Sequence, residues 1–523
     1  MFKNNSTIFS VFVILLTVLL FGVAVNGADT DRFGGTLRIA ATGEPPTLDN
    51  MVYGSSPVGE FSKHIFETPF AFNKEYEPIP YLVESYNFQE DGKILEMKLR
   101  EGVLFHNGKE MTSSDFVASM KRWGNYSSKG KDAFKYINKV VKVDSYTVKV
   151  HFDEPFSPIL AYLARSRHAC TILPEEIAEK YGASPIDKSD YIGTGPYKFE
   201  EWVANNYIKI SRFKDYVARD EPADGYGGKR VAYFDEIRLI PVPELGTRIS
   251  GLEVGEFDFV TRISSDHFNQ IGRTPAAEPF KYVFPGYNLV YFNLEEGRAN
   301  IELRRAILAA LDMEPILIST YGDPEFYNAT GTYYPEGTLW YTENGTDLYD
   351  QANSEKAKEL MEAAGYDGDE LRYLSTKEFS NHYDQSVIVI DQLEKVGINI
   401  DFKLHDWATL RQKIENPEEW DLFFTRSIIE PEPLTLSLFA YPGWWDSDGK
   451  NKYMDILSKE TDAQVRADAW EELQNLMYEE VPWILTGKHF FTGAISTELE
   501  ALDPKFSWRA NSWCFWNAWF GDK

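Results

Sequence analysis

The stretch Leu99-Arg100-Glu101-Gly102-Val103-Leu104-Phe105-His106-Asn107-Gly108-Lys109-Glu110-Met111-Thr112-Ser113-Ser114-Asp115-Phe116 holds a strand end, two turns and a helix start in close order. Just upstream, Ile94-Leu95-Glu96-Met97-Lys98-Leu99-Arg100 alternates apolar and polar residues, the period of a half-buried strand, and Glu101-Gly102 ends it. His106-Asn107-Gly108-Lys109 is turn-forming sequence. Ser113-Ser114-Asp115 then offers side-chain oxygens to the unpaired amides of a first helical turn, which predicts a helix through Phe116-Val117-Ala118-Ser119-Met120-Lys121-Arg122-Trp123.

Towards the N-terminus, Thr36-Leu37-Arg38-Ile39-Ala40 alternates as a strand, and Gly43-Glu44-Pro45-Pro46-Thr47-Leu48-Asp49 breaks it into a loop. Ser62 to Phe72 reads as a helix, and Pro78 to Tyr86 as an extended segment. Towards the C-terminus, Gly193-Thr194-Gly195-Pro196-Tyr197 places two glycines, free to adopt positive φ, before a Pro-fixed turn. Ala363-Ala364-Gly365-Tyr366 and Leu393-Glu394-Lys395-Val396-Gly397-Ile398 each close a helix with a C-cap glycine, the second leading into the strand Asn399 to Leu404. Strand and helix signals alternate throughout, the pattern of an α/β protein, with no internal repeat or low-complexity tract.

Taken in order, the first stretch, Gly193-Thr194-Gly195-Pro196-Tyr197, Tyr291-Phe292-Asn293-Leu294 with Leu303-Arg304-Arg305-Ala306-Ile307, the two glycine-capped helices and Glu479-Glu480-Val481-Pro482 resemble the family 5 extracellular solute-binding proteins. These are the peptide- and nickel-binding components of ABC importers, and the resemblance spans essentially the whole mature chain. It implies a periplasmic-binding-protein-like α/β fold: two lobes joined by a hinge, plus an inserted extra domain. The boundaries it implies are 35–75 with 193–282 and 486–523 for domain I, 76–192 for the inserted domain II, and 283–485 for domain III. Solute would be enclosed between domains I and III and passed to the membrane subunits of an ABC permease, with the binding protein itself a monomer.

Composition agrees with an exported globular protein. At 523 residues, 43% hydrophobic and 26% charged, the chain can bury a large core and form more than one domain. Aromatic content of 15% supplies core and leaves rings for a pocket, since flat faces suit sugars, peptides and other part-apolar ligands. A net charge of -28, from 53 basic and 81 acidic residues, opposes contact with nucleic acid or anionic lipid. Lys3, the apolar run Ile8 to Val25 and the small residues Gly27-Ala28 form a secretory signal, predicted to end at residue 27, with no nearby Cys for lipid attachment. Cys170 and Cys514, the only two cysteines, permit a single disulfide in an oxidising compartment.

Catalytic motifs are missing: there is no G-x-S-x-G elbow, no H-E-x-x-H, no Walker loop and no G-x-G-x-x-G after a strand. The chain is therefore expected to be no enzyme and to use no cofactor. A glycoside hydrolase is the competing reading, because its two acids need only be close in space. Histidines lack metal-ligand spacing, and Asp446-Ser447-Asp448-Gly449 starts like a calcium loop but has no later Glu in register, so it is read as a surface turn.

Chemistry able to hold a small molecule concentrates from Asp421 to Asp446. A β-type run ends in Arg426-Ser427-Ile428-Ile429-Glu430-Pro431-Glu432-Pro433, followed by Trp444-Trp445. Arg426 suits an anionic ligand group through paired hydrogen bonds, or else forms an ion pair with Glu430 or Glu432. Trp444 and Trp445 present ligand faces or pack under the loop. In peptide-binding relatives an Asp ahead of an acid-Pro pair captures the ligand's α-amino group; the resemblance puts Ile429 at that position, which leaves Glu430 as the neighbouring substitute. Tyr53 and Ser55, after the first strand, and Trp513 and Trp516, near the C-terminus, complete the candidate site, with Ser427 beside Arg426. A peptide or peptide-like amino-acid conjugate is the expected solute; an oligosaccharide or a chelated nickel ion is the alternative within the family.

Overall fold

The computed structural model describes residues 30–507, 509 and 512–521. The signal sequence lies outside the described residues, as do Trp508, Ala510 and Asn511. Around the first stretch, the strand Ile94–Leu99 is followed by a bridge between Leu104 and Glu110 and by the helix Ser113–Tyr126. Thr112 caps this helix, one position before the predicted Ser113: the Asp115 carboxylate accepts from the Thr112 amide at 2.8 Å and its hydroxyl at 2.9 Å. Phe116, Met120 and Trp123 recur at helical spacing and are fully buried.

Three sheets organise the chain. The seven-stranded sheet runs Ala277–Lys281, Thr492–Ser496, Phe259–Thr261, Thr36–Ala41, Glu236–Pro241, Tyr207–Arg212, Tyr197–Val203. At its centre Thr36–Ala41 pairs in parallel with both neighbours. The four-stranded antiparallel sheet contains Val83–Gln89, Ile94–Leu99, Thr147–Phe152 and Ile137–Lys142. The six-stranded sheet runs Tyr327–Asn328, Trp483–His489, Gly286–Phe292, Leu422–Ile428, Leu371–Ser375, Ile400–Leu404. One apolar core unites most of the seven- and four-stranded sheets, while a separate core surrounds the six-stranded sheet, so the molecule is two-lobed.

Two short connections join the lobes. Ala277–Lys281 leads through residues 282–285 into Gly286–Phe292, and Trp483–His489 returns through 490–491 into Thr492–Ser496. The two crossings pair where the Tyr282 amide donates to the Phe491 carbonyl at 2.9 Å. Paired crossings of this length give a hinge that bends without either sheet being broken.

Several local expectations are corrected. The helix expected at 62–72 lies earlier, at Ser56–Ser62 with Pro57 in its first turn, and Phe70–Phe72 is a strand, because Pro69 disfavours helical backbone at Thr68. Gly193 and Gly195 do not adopt positive φ. Their need is space: a Cβ on Gly193 would meet the Ile65 carbonyl oxygen at 2.1 Å, and one on Gly195 would meet the His64 oxygen at 2.4 Å. Cys170 and Cys514 are both free and buried, the Cys514 thiol donating to the Phe506 carbonyl at 2.9 Å, so the permitted disulfide is not formed. Asp446 to Gly449 is a helix start rather than a turn, with Ser447 accepting from the Lys450 amide ahead of Asp448–Lys459. No group of acidic, His and Cys side chains among the described residues could hold a metal ion.

Candidate functional site

Three small chambers lie at and beside the meeting of the lobes. The first is walled by Pro57, Glu60, Arg167, Arg262 and Trp513 from the larger lobe and by Ile428 from the six-stranded sheet. The second lies wholly in the larger lobe, over Lys63, Glu67, Arg165, Arg230 and Trp516. The third joins them, with Arg167 and Tyr226 on one side and Ile429, Glu430 and Phe284 on the other.

The walls are held by ion pairs with little access to water. Glu67 is almost fully buried and accepts from Arg230 at 3.2 Å, Tyr216 at 2.8 Å and Thr194 at 2.9 Å. The Arg230 guanidinium lies between the Tyr81 ring at 3.7 Å and the Trp516 ring at 4.1 Å, so cation–π contact completes its coordination. Lys63 donates to the Ser512 carbonyl and hydroxyl at 2.5 and 2.8 Å, and burial pushes its ammonium down to about 8. Glu60, on the helix Ser56–Ser62, has its carboxyl pushed up by burial against the opposing pull of Arg262, Lys63 and Arg167. At the junction, Glu430 Oε1 accepts from Arg165 at 3.1 Å and Arg167 at 3.2 Å, tying the lobes together.

The structure separates the candidate residues into three groups. Trp513, Trp516, Ile429 and Glu430 line the chambers. Arg426 is half-buried just behind, on the face of Leu422–Ile428 that also presents Ile428, with Nη1 3.5 Å from His489 Nε2. It pairs with neither Glu430 nor Glu432: the first is held by Arg165 and Arg167, the second by Arg466 at 2.6 Å. Ser427 points to the opposite face and bonds the Ser437 hydroxyl at 2.5 Å. Tyr53 is exposed, and Ser55 is the N-cap residue of Ser56–Ser62. Trp444 and Trp445 sit in another pocket, within the smaller lobe, beside Tyr441, Phe439 and Trp483. There Trp445 is buried and donates to Glu480, while Trp444, at φ +53°, leans on Trp420.

Sequence reading missed Glu60, Lys63, Glu67, Arg165, Arg167, Arg230 and Arg262. One signal was present: Arg165-Ser166-Arg167 directly follows the apolar helix Ile159–Ala164, and charges next to a buried helix need a partner or a cavity. Glu60, Lys63 and Glu67 fell within or beside a helix placed in the wrong frame, which hid their common face.

A family model described as bacterial extracellular solute-binding proteins, family 5 Middle, matches residues 77–449. A probable peptide ABC transporter periplasmic-binding protein of Sinorhizobium fredii is 26% identical over 473 residues, covering 84% of this chain and 86% of the relative. The glutathione-binding protein of Escherichia coli is 24% identical, covering 84% and 86%. Among solved structures, an ABC transporter-associated periplasmic binding protein of Helicobacter pylori in complex with the peptide STSA superposes with a TM-score of 0.75 at 19% identity, covering 95% of this chain and 100% of that one. An agropinic-acid complex from A. tumefaciens R10 gives 0.75 at 23% identity, covering 94% and 99%. These two likenesses establish a shared fold.

Proposed function

Because this chain belongs to the bacterial extracellular solute-binding proteins, family 5, and so is a substrate-binding component of an ABC importer, we propose that it encloses a peptide-like solute between its lobes and delivers it to the permease. A peptide or amino-acid conjugate is the preferred class, as the names of the curated relatives suggest. The observation that carries the reading is the chambered cavity itself, whose walls come from both lobes and whose junction is bridged by Glu430 to Arg165 and Arg167. A solute touching both walls favours the closed arrangement by its differential contacts, and no bond is made or broken. Trp513, Trp516 and Tyr226 supply apolar faces, and the charged groups set selectivity.

Ile429 is buried and apolar where an amine anchor is expected, and Glu430 is already bound to two arginines. Capture of a free α-amino group by this loop is therefore disfavoured, and an N-blocked or conjugated solute fits better. Tyr53 and Ser55 border the entrance in this scheme. The protein is exported and acts outside the cytoplasmic membrane as a monomer. The sugar-binding alternative draws on the aromatic pocket around Trp444 and Trp445, which would then be a second contact surface.

Native mass spectrometry of protein purified from its own cells tests the assignment. A retained small molecule of defined mass, with a raised melting temperature on adding it back and no turnover, is the expected result. Hydrolysis of a glycoside by the purified protein, lost on changing one carboxylate, would overturn it.

A further inference from the structure

The charge lining the chambers has the opposite sign to the charge of the protein. Lys63, Arg165, Arg167, Arg230 and Arg262 face them, against Glu60, Glu67 and Glu430: five cations to three carboxylates in a chain of net charge -28. Glu67 is bound to Arg230, and Glu430 to the Arg165–Arg167 pair. That leaves the first chamber with Arg262 and a single nearby carboxylate, Glu60, that Lys63 and Arg167 also share.

Arg262 is unusual in three respects. It follows directly on the strand Phe259–Thr261 at φ +54°, a conformation a bulky side chain rarely adopts and one that clusters at binding sites. Its guanidinium makes neither a hydrogen bond nor a direct ion pair to any described residue; it lies over the Phe491 ring, whose centroid is 6.0 Å away, and acts on Glu60 only through space. It is solvent-exposed within a lobe interface where the other wall charges are largely buried.

Behind the same wall, half-buried Arg426 has its Nε shielded and unpartnered, and its Nη1 lies 3.5 Å from His489 Nε2. Burial and Arg426 itself hold His489 well below its ordinary range, so the imidazole is neutral and supplies no counter-charge. His489 packs on Phe491 at 4.8 Å, and Phe491 in turn lies under Arg262, which makes one stack from half-buried cation to exposed cation.

We propose that the solute is anionic, and that Arg262 receives its carboxylate in the first chamber while Arg426 adds positive potential from behind the wall. The proposal rests on the reading of the chambers as the solute site. A guanidinium with five donors and no protein acceptor is matched by a planar carboxylate, and a low-dielectric wall strengthens the attraction. A basic solute would add a further cation to a chamber where Arg262, Lys63 and Arg167 already share the single carboxylate of Glu60.

The test uses the full mature chain, stripped of ligand by unfolding and refolding, and an equimolar pool of Glu-Glu, Ala-Ala, Lys-Lys and their N-acetylated forms. Native mass spectrometry identifies which members are retained. The expected result is retention of the acidic members at least tenfold over the neutral ones, with no basic member kept. Arg262→Gln should weaken binding of the retained acid at least tenfold without moving the ligand-free melting temperature, and Arg262→Lys should restore part of it. Preference for Ala-Ala or Lys-Lys, or unchanged affinity in Arg262→Gln, overturns the proposal while leaving the peptide-like reading intact. Retention of no member counts against both.

Discussion

The two ends of the strand Leu422–Ile428 sit in one sheet and solve opposite electrostatic problems. At the first end, buried Asp421 accepts from the Arg372 amide at 2.7 Å, from its Nε and Nη2 at 2.9 Å each, and from the Arg298 amide at 3.0 Å. Every charge there has its partner. At the far end, Arg426 meets no carboxylate among the described residues, and on the opposite face the row Ser427–Tyr287–Lys488 places a lysine, 2% exposed, whose ammonium bonds, among the described residues, only the Thr332 hydroxyl at 3.3 Å. A buried lysine escapes by losing its proton, and burial pushes Lys488 down to about 7. An arginine has no such escape, so its charge persists until something outside the protein answers it. The first end is closed by its own ion pair, and the second keeps the open charge that the proposed anionic solute would answer.

The comparison breaks first at Asp421. Removing it in Asp421→Ala leaves a cation and two amides buried without an acceptor, which should cost about 3–5 kcal/mol in chemical denaturation. Burial pushes the Asp421 carboxyl up, but the Arg372 bonds prevail and hold it below the ordinary value. Its folded pKa is thus depressed, so its contribution is present above the unfolded carboxylate pKa and is lost as pH falls through the folded one. A variant as stable as wild type would show the two ends to be equivalent.

Lys488→Met should act in the other direction and stabilise the protein by about 2–4 kcal/mol at pH 6. Between pH 7 and the unfolded lysine value of 10.5, the unfolded chain binds a proton that the folded chain lacks. Wild-type stability therefore rises through that window, and below pH 7 the full penalty applies. The difference in melting temperature between variant and wild type should be greatest at pH 6 and shrink towards pH 10. A difference independent of pH would mean that Lys488 stays charged in the fold.

Arg426→Ala sharpens the comparison, because two measurements should diverge. Loss of a half-buried cation without a carboxylate partner should leave ligand-free stability level or raised, while affinity for a carboxylate solute falls by about 1 kcal/mol, since Arg426 acts from behind the wall rather than by direct contact. Unchanged affinity in calorimetry would remove Arg426 from the site and return that end of the strand to a structural role.

Much of this fold was legible because its markers are local. The Ser113–Tyr126 cap, the Gly365 and Gly397 stops at φ +68° and +99°, and the alternating strand at Ile94–Leu99 each follow from a few adjacent residues. The site was legible only in part, because its walls combine residues that are distant in sequence. Glu430 could be singled out on its loop, but its partners Arg165 and Arg167 lie 265 and 263 positions away. Glu67 and Arg230, 163 positions apart, left no local trace of their pairing. Trp444 and Trp445 show the converse: an adjacent aromatic pair looks like one feature, yet Trp445 is buried against Trp483 while Trp444 leans on Trp420.

Glu430 yields the smallest expected effect and the most specific one. It sits just past the unmatched end of the strand, and its Oε1 receives both Arg165 and Arg167 from the opposite lobe. Nearby, the Ser157 amide donates to the Ser458 carbonyl at 2.8 Å and Lys459 meets Glu154 at 2.5 Å, so closure does not depend on Glu430 alone. Glu430→Gln keeps the shape but removes the charge that offsets two neighbouring guanidinium groups, whose repulsion then opposes closure. The pair is partly open to solvent, which limits the effect to about 1 kcal/mol. Dissociation of bound solute should become several-fold faster with association nearly unchanged, because the lobes still meet but part more readily. Raised salt should narrow the gap to wild type by screening the arginine pair. Slower association with unaltered dissociation would instead make Glu430 part of the encounter surface, and the closing contact would then lie with Ser157 and Glu154.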